Sequence, residues 1–205
     1  MKASILFFSL CFSCFISYAQ FQFGIKAGYN LANLQISNHQ FLTQKSISTF
    51  NGGITAAKPL AKNLILLGEL IYSVQGSDII LQTGNGNVYL HRRLFYLNLP
   101  IVLKYQFEPA FFLETGPLLG YLMSANSEYH GQFFNDKGYQ QPFDFSWVFG
   151  GGYQIPKLNL GLDIRYNLGI NNTQRQTIPT TDLISVTKNK VFQVDLFYYF
   201  KLGSK

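Results

Sequence analysis

Residues 158–170 read LNLGLDIRYNLGI, and their hydrophobic pattern decides the fold. Every even position holds leucine, isoleucine or tyrosine, and every odd position holds asparagine, glycine, aspartate or arginine. Successive side chains of a β-strand point to opposite faces of the sheet. The segment therefore predicts a strand with one apolar face and one polar face.

The same alternation recurs along most of the chain, in segments of about ten to thirteen residues, as in membrane-spanning β-strands. Beyond residue 20, no apolar run approaches the ~20 residues that a transmembrane helix needs. The clear segments are 21–31, 143–154 and 191–201, and the less regular ones are 47–57, 64–75, 94–107 and 110–123. Pro100 cannot donate a ladder hydrogen bond, so we expect irregular pairing in its strand.

The charged residues within these strands all fall on the polar face of their own segment. They are Lys26, Glu69, Lys104, Glu114, Asp144, Asp163, Arg165 and Asp195. Water gives no reason to exclude charge from the opposite face, whereas an Arg or Lys on the lipid face of a barrel costs about 2–4 kcal/mol at the bilayer midplane. A sheet in lipid must also close on itself, because its edges find no water there.

The predicted fold class is therefore all-β: an eight-stranded antiparallel up-and-down transmembrane β-barrel. Its lumen is expected to be filled by side chains, and the eight charged residues form a structural cluster there, because buried charges must pair with each other. We assign no catalytic residue, no cofactor-binding residue and no metal ligand. The sequence has no serine elbow, no His–Glu metal motif and no phosphate loop, so we expect no enzyme and no cofactor.

Residues 1–19 are predicted to be a cleaved signal peptide, which leaves 20–205 as one β-barrel domain. Lys2 precedes an apolar run over residues 5–16, and small residues end at Ala19. A lipid-modified Cys14 and an uncleaved apolar element are the alternatives. Both cysteines of the chain lie inside this segment, so the mature protein would have no disulfide.

The composition excludes several classes of protein. The chain is 47% apolar, 17% aromatic and only 13% charged, which excludes disorder. A soluble domain usually has about 25% charged residues. The net charge of +6 is spread over turns and loops, so it forms no stripe for nucleic acid.

The predicted connections alternate between short and long. The short ones contain proline and lie at 58–62, 107–109 and 155–157; the long polar ones lie at 32–46, 76–93, 124–142 and 171–189. Because bacterial barrels keep short turns in the periplasm, we expect both termini to be periplasmic. His39, His91 and His130 fall in the long loops as solvated residues. The basic stretch 91–93 is expected to flank the membrane interface rather than to bind lipopolysaccharide phosphate.

Several segments resemble a known family. GIKAGYN at 24–30, YLNLPIVLKY at 96–105 and VFQVDLFYYF at 191–200 are similar to strands of the PorT-like outer membrane protein β-barrel domain of Bacteroidetes, a group of "porin family" barrels. The tail KLGSK after Phe200 departs from the aromatic end of many such barrels. The resemblance implies an outer-membrane location and lends no catalytic residues.

The expected function is therefore that of an integral outer-membrane β-barrel, structural or interacting with other molecules through its long outer loops. The alternatives are an accessory barrel of a protein secretion complex and a narrow porin for small solutes. A soluble periplasmic ligand-binding barrel is the least favoured. The expected partners are outer-membrane lipids and other envelope proteins, not nucleic acid, and a monomer is favoured.

Overall fold

The computed structural model describes residues 21–37, 42–84, 86–107, 110–175 and 186–200. The predicted signal peptide lies outside the described residues. Within the described residues, the chain forms ten strands and one short 3-10 helix over Lys137–Tyr139. The strands are β1 (Gln22–Ile36), β2 (Leu42–Lys45), β3 (Ile47–Ala61), β4 (Leu64–Thr83), β5 (Gly86–Phe107), β6 (Phe111–Tyr129), β7 (Gln132–Asn135), β8 (Phe143–Ile155), β9 (Leu160–Gly169) and β10 (Thr187–Tyr199). Within the described residues, no helix is long and apolar enough to cross a membrane.

Eight of the strands form a closed antiparallel ring. The order around the ring is β1, β3, β4, β5, β6, β8, β9 and β10, and β10 returns to pair with β1. This confirms the predicted eight-stranded up-and-down barrel. The two short strands were not predicted: β2 extends the sheet beside β4, and β7 pairs with β6.

The apolar face of each ring strand points away from the lumen. In β9 the apolar residues from Leu160 to Leu168 are 36–42% exposed, whereas every residue between them is buried. The alternation that decides the fold therefore places the apolar side chains outside and the polar ones inside. This is the reverse of a soluble barrel, in which the apolar face would fill the interior.

The lumen is layered along the barrel axis. Near the end that holds Gly24 and Tyr199, a buried apolar layer includes Leu67, Val102 and Phe112. At the opposite end, a second apolar layer contains Leu34, Leu94, Tyr96, Leu122 and Ala125. Lys26, Asn30, Glu69, Asp163 and Asp195 lie between these two layers and are at most 3% exposed.

The short connections all lie at the end of the barrel where β1 begins and β10 ends. They join β3 to β4, β5 to β6 and β8 to β9. Residues 58–61 belong to β3, so the turn predicted at 58–62 is shorter than expected. The backbone N–H of Gln106 donates a 2.8 Å hydrogen bond to the backbone oxygen of Asn63, which joins the turn between β3 and β4 to the end of β5.

The long loops at the other end were predicted wrongly in part. Most of 76–93 continues β4 and β5 as a hairpin, and most of 124–142 belongs to β6, β7 and the 3-10 helix. These residues were missed because polarity does not alternate along them: Ser77 and Asp78 are both polar, whereas Ile79 and Ile80 are both apolar. Outside a bilayer a sheet can continue without an apolar face, so period-2 alternation does not mark it.

The irregular pairing expected at Pro100 is confirmed. Gly68 pairs with Ile101 and Ile71 pairs with Asn98, but the two positions between them on each strand form no pairs. Proline lacks the N–H that the ladder needs. The interruption leaves the backbone of β5 irregular opposite Glu69, a member of the charged cluster.

Candidate functional site in the barrel interior

All eight charged residues singled out in the sequence point into the lumen and are only 1–4% exposed. Lys26 of β1 lies near the middle of the group. Its Nζ is 2.5 Å from Oδ2 of Asp163, 3.2 Å from Oε1 of Glu69 and 3.7 Å from Oδ2 of Asp195. One ammonium group therefore joins carboxylates from three other strands.

Arg165 of β9 is the second cation at the centre. Its Nη1 and Nη2 lie 2.6 and 2.9 Å from the two carboxylate oxygens of Glu69, a bidentate pair. Its Nε donates to Glu114 and lies 2.8 Å from Oδ2 of Asp163. Bidentate, charge-assisted bonds of this kind fix geometry as well as adding energy.

Six of the eight residues therefore form one ion-pair cluster, which we call the lumen cluster. Its members are Lys26, Glu69, Glu114, Asp163, Arg165 and Asp195. They come from β1, β4, β6, β9 and β10, so the cluster connects opposite walls of the barrel. The four carboxylates of the lumen cluster share two cations, Lys26 and Arg165. Each carboxylate therefore depends on a cation that also binds other carboxylates.

The other two charged residues lie apart from the lumen cluster. Lys104 places its Nζ 3.8 Å from the ring centre of Phe112 and 4.6 Å from that of Phe197, as a cation–π contact. Asp144 accepts hydrogen bonds from Ser146 at 3.2 Å and from Asn189 at 3.0 Å. These two side chains share the lumen with the cluster without joining it.

A network of buried amides continues from the lumen cluster toward the long hairpins. Asn51 donates 2.8 Å hydrogen bonds to Asp195 and to Asn30, and Gln193 donates to Asn30 at 2.9 Å. Asn30 in turn donates to Ser73 at 3.0 Å. Sequence reasoning missed these residues because it sought charge. Their position on the polar face of their strands was the signal that would have found them.

The interior leaves little free space beside the cluster. A cavity of about 10 Å³ is lined by Lys26, Asn51, Asn98, Arg165 and Asp195, among others. A site of this size holds about one water molecule. Two larger depressions, of about 430 and 260 Å³, lie on the outer wall among apolar side chains such as Leu103, Leu113 and Ile101.

The basic stretch 91–93 lies in β5, in the part of the hairpin farthest from the chain ends, and not in a loop. His91 Nδ1 and Arg93 Nη1 each lie 2.9 Å from Asp78, and Arg92 lies 3.7 Å from Asp136. Burial raises the pKa of Asp78, but the hydrogen bonds from Arg93 and His91 outweigh it, so this pKa lies below its ordinary value. The positive charge of the stretch is therefore largely matched by its own neighbours.

His130 lies in the turn between β6 and β7, and His39 lies outside the described residues. In the part of the chain that the structure describes, no three His, Cys, Asp or Glu residues are grouped to hold a metal ion. His91 and His130 therefore lie apart from the lumen cluster.

The two lumen lysines are expected to differ in their contribution to stability. Lys26→Met removes the shared partner of three carboxylates and is expected to cost about 3–5 kcal/mol of unfolding free energy, as for a broken buried ion pair. Lys104→Met keeps an apolar chain against Phe112 and Phe197 and is expected to cost about 2 kcal/mol, the magnitude of a desolvated cation–π contact. Urea unfolding from lipid vesicles measures both, and equal losses would contradict the distinction.

Comparison with known proteins places this geometry in a family. A family model described as "Outer membrane protein beta-barrel domain" matches residues 17–175. Neisserial surface protein A is similar in structure at 13% sequence identity, with a TM-score of 0.54 over 87% of this chain and 97% of that one. No curated protein matches the sequence.

Two further solved structures are similar over most of the chain. Ail of Yersinia pestis shares 14% identity, with a TM-score of 0.46 over 87% of this chain and 98% of that one. OprG from Pseudomonas aeruginosa shares 11% identity, with a TM-score of 0.45 over 89% and 97%. The family match covers well over half of the sequence. The chain belongs to the outer membrane protein β-barrel domain family.

Proposed function

We propose that this protein is an integral barrel with a closed lumen, which acts without catalysis as a structural or surface-interaction protein of the outer membrane. The observation that carries the proposal is the lumen cluster between two apolar layers. Among the described residues, ion pairs from five strands cross the lumen, and the cavity beside them has a volume of only about 10 Å³, which supports a closed lumen. A narrow porin would need a continuous aqueous path at this level.

The strands that extend past the bilayer support a role at the surface. A transmembrane β-strand needs about 9–11 residues. β9 has 10 residues, whereas β4 has 20 and β5 has 22. About ten residues of each long strand therefore project beyond the membrane, which corresponds to roughly 30 Å at the usual rise per residue.

Aromatic residues lie exposed on this projecting sheet. Phe133 and Phe134 of β7 are 76% and 47% exposed, and Tyr89 of β5 is 53% exposed. Exposed aromatic side chains outside the lipid region are typical of interaction sites, where Tyr and Phe are enriched. They support an envelope protein as the partner, which also keeps the accessory barrel of a secretion complex as the second candidate.

The orientation and export route form part of the proposal. The short turns and both ends of the described chain share one end of the barrel, and short turns face the periplasm in bacterial barrels. The predicted signal peptide at 1–19 would deliver the domain 20–205 to that side. The segments at 24–30, 96–105 and 191–200 support a PorT-like barrel of Bacteroidetes, since each is similar to a strand of that family.

We expect no stable open conductance when the purified protein is inserted into a planar lipid bilayer. The reason is the closed lumen: the carboxylates paired with Arg165 and Lys26 obstruct it, and they cannot move aside without breaking buried ion pairs. The same preparation must show heat-modifiable gel migration, which demonstrates that folded barrel was present. A large steady channel from such a preparation would overturn the closed lumen.

A further inference from the structure

A patch of four polar side chains lies on the outer wall, just beyond the apolar band. Asn33 and Gln35 of β1 pair with Lys190 and Lys188 of β10, and all four alternate with inward-facing residues. The preceding outward pair is Leu31 and Phe192, each 41% exposed. The wall therefore changes from lipid-facing apolar residues to two ammonium groups and two amides within one step along the strands.

The charge of this patch is not matched by the protein. Among the described residues, neither Lys188 nor Lys190 forms an ion pair with a carboxylate. Arg92 and Arg93, at the same end of the barrel, are paired with Asp136 and Asp78. The two lysines are therefore available to an external anion in a way that the arginines are not.

Gln35 adds an accessible hydrogen-bonding group to the same patch. Its side chain is exposed, and its residue pairs with Lys188 across the ladder. Its amide can donate to a phosphate oxygen and accept from a headgroup hydroxyl next to the Lys188 ammonium.

We propose that Asn33, Gln35, Lys188 and Lys190 bind the phosphorylated headgroup of a membrane lipid. Neighbouring positions are about 7 Å apart along a strand and about 5 Å across a pair, so one phosphate can reach both lysines. The amides supply donors and an acceptor to headgroup hydroxyls. The inference rests on the proposed function, because it requires the apolar band to lie in lipid and the long hairpins to lie outside.

Trp147 is the natural reporter for this site, as the only tryptophan of the chain. Lys190 pairs with Leu168, which pairs with Trp147, so the indole lies two strands away in the same row, roughly 10 Å at the usual strand spacing. The full chain is reconstituted in phosphatidylcholine vesicles that contain brominated phosphatidic acid or brominated phosphatidylcholine. Bromine near Trp147 quenches its fluorescence.

We expect phosphatidic acid to be enriched at Trp147, by about fivefold for each lysine at a membrane surface. Lys188→Gln with Lys190→Gln should abolish the preference. Lys62→Gln with Lys157→Gln, which removes the same charge from the turns at the opposite end, should keep it. All three proteins must show heat-modifiable migration.

Different results would overturn the membrane-embedded barrel and the lipid-binding patch. Absence of quenching by brominated phosphatidylcholine would mean that Trp147 does not face lipid, and it would overturn the membrane-embedded barrel together with the lipid site. Quenching without preference for phosphatidic acid would overturn the lipid site alone. So would a preference that survives Lys188→Gln with Lys190→Gln.

Discussion

Arg165→Gln is expected to lower the free energy of unfolding by at least about 3–5 kcal/mol, the cost of leaving buried charges without their partner. The guanidinium contacts Glu69 through two hydrogen bonds, and its Nε serves Glu114 and Asp163. Removal leaves Lys26 as the only cation against the four carboxylates of the lumen cluster. Glutamine can satisfy one of them by a neutral hydrogen bond, but it carries no charge.

Lysine is not expected to restore the wild-type stability at this position. The five N–H groups of Arg165 form a planar fork, which reaches Glu69 and Glu114 at the same time. A lysine ammonium is a compact charge with three donors, so Arg165→Lys should recover only part of the loss. An equal stability for Arg165→Lys and the wild type would show that charge alone matters here.

A second substitution tests whether the loss comes from the lumen cluster. Among the described residues, the ion pair of Glu114 is with Arg165. Glu114→Gln in the Arg165→Gln background removes a carboxylate that has lost this partner, so the double variant should be more stable than Arg165→Gln alone. Strictly additive losses would contradict this coupling, because contacting residues are expected to deviate from additivity.

Urea unfolding from lipid vesicles, followed by Trp147 fluorescence, measures these free energies. Arg175→Gln provides the matched control, since Arg175 is exposed and lies outside the lumen. A surface substitution of this kind is expected to stay within about 0.5 kcal/mol of the wild type. Similar losses for Arg165→Gln and Arg175→Gln would show that the measurement responds to net charge and not to the cluster.

The inside and outside of the barrel could be predicted from the sequence because lipid penalises charge on one face only. Strand β9 within segment 158–170 shows this directly, since its polar residues, including Asp163 and Arg165, lie in the lumen. The same rule fails where the bilayer ends. Asp78 and Ser77 lie on opposite faces of β4 and are both polar, so the continuation of the hairpin left no periodic signal.

The separate environment of Lys104 could not be predicted for a related reason. Phe112 and Phe197, which receive its ammonium group, lie on the inward face of their strands. Sequence reasoning reserved apolar residues for the lipid face, although a small barrel also closes its ends with apolar layers. The alternation along each strand predicted that all eight charged side chains point inward. Which of them form ion pairs depends on the register and tilt of strands far apart in the chain.

Gly53→Ala is expected to cost about 3 kcal/mol, at the top of the range for an overpacked interior. Gly53 lies in β3 beside Lys26 of β1, its partner across the ladder. A Cβ at this position would lie 2.0 Å from the backbone oxygen of Leu70 and 2.8 Å from Cα of Ile71. Both atoms belong to the backbone of β4, so no side chain can rotate to make room.

The expected consequence is that β3 and β4 separate locally, next to Glu69. Gly68→Ala is the matched control, because Gly68 lies in β4 and a Cβ there would meet no atom within 4 Å. The control should fold as well as the wild type, since alanine loses less conformational entropy in a strand than glycine does. The folded fraction by heat-modifiable migration and the urea midpoint measure both variants. A wild-type midpoint for Gly53→Ala, or equal losses for the two glycines, would show that close approach of β3 to β4 does not limit the barrel.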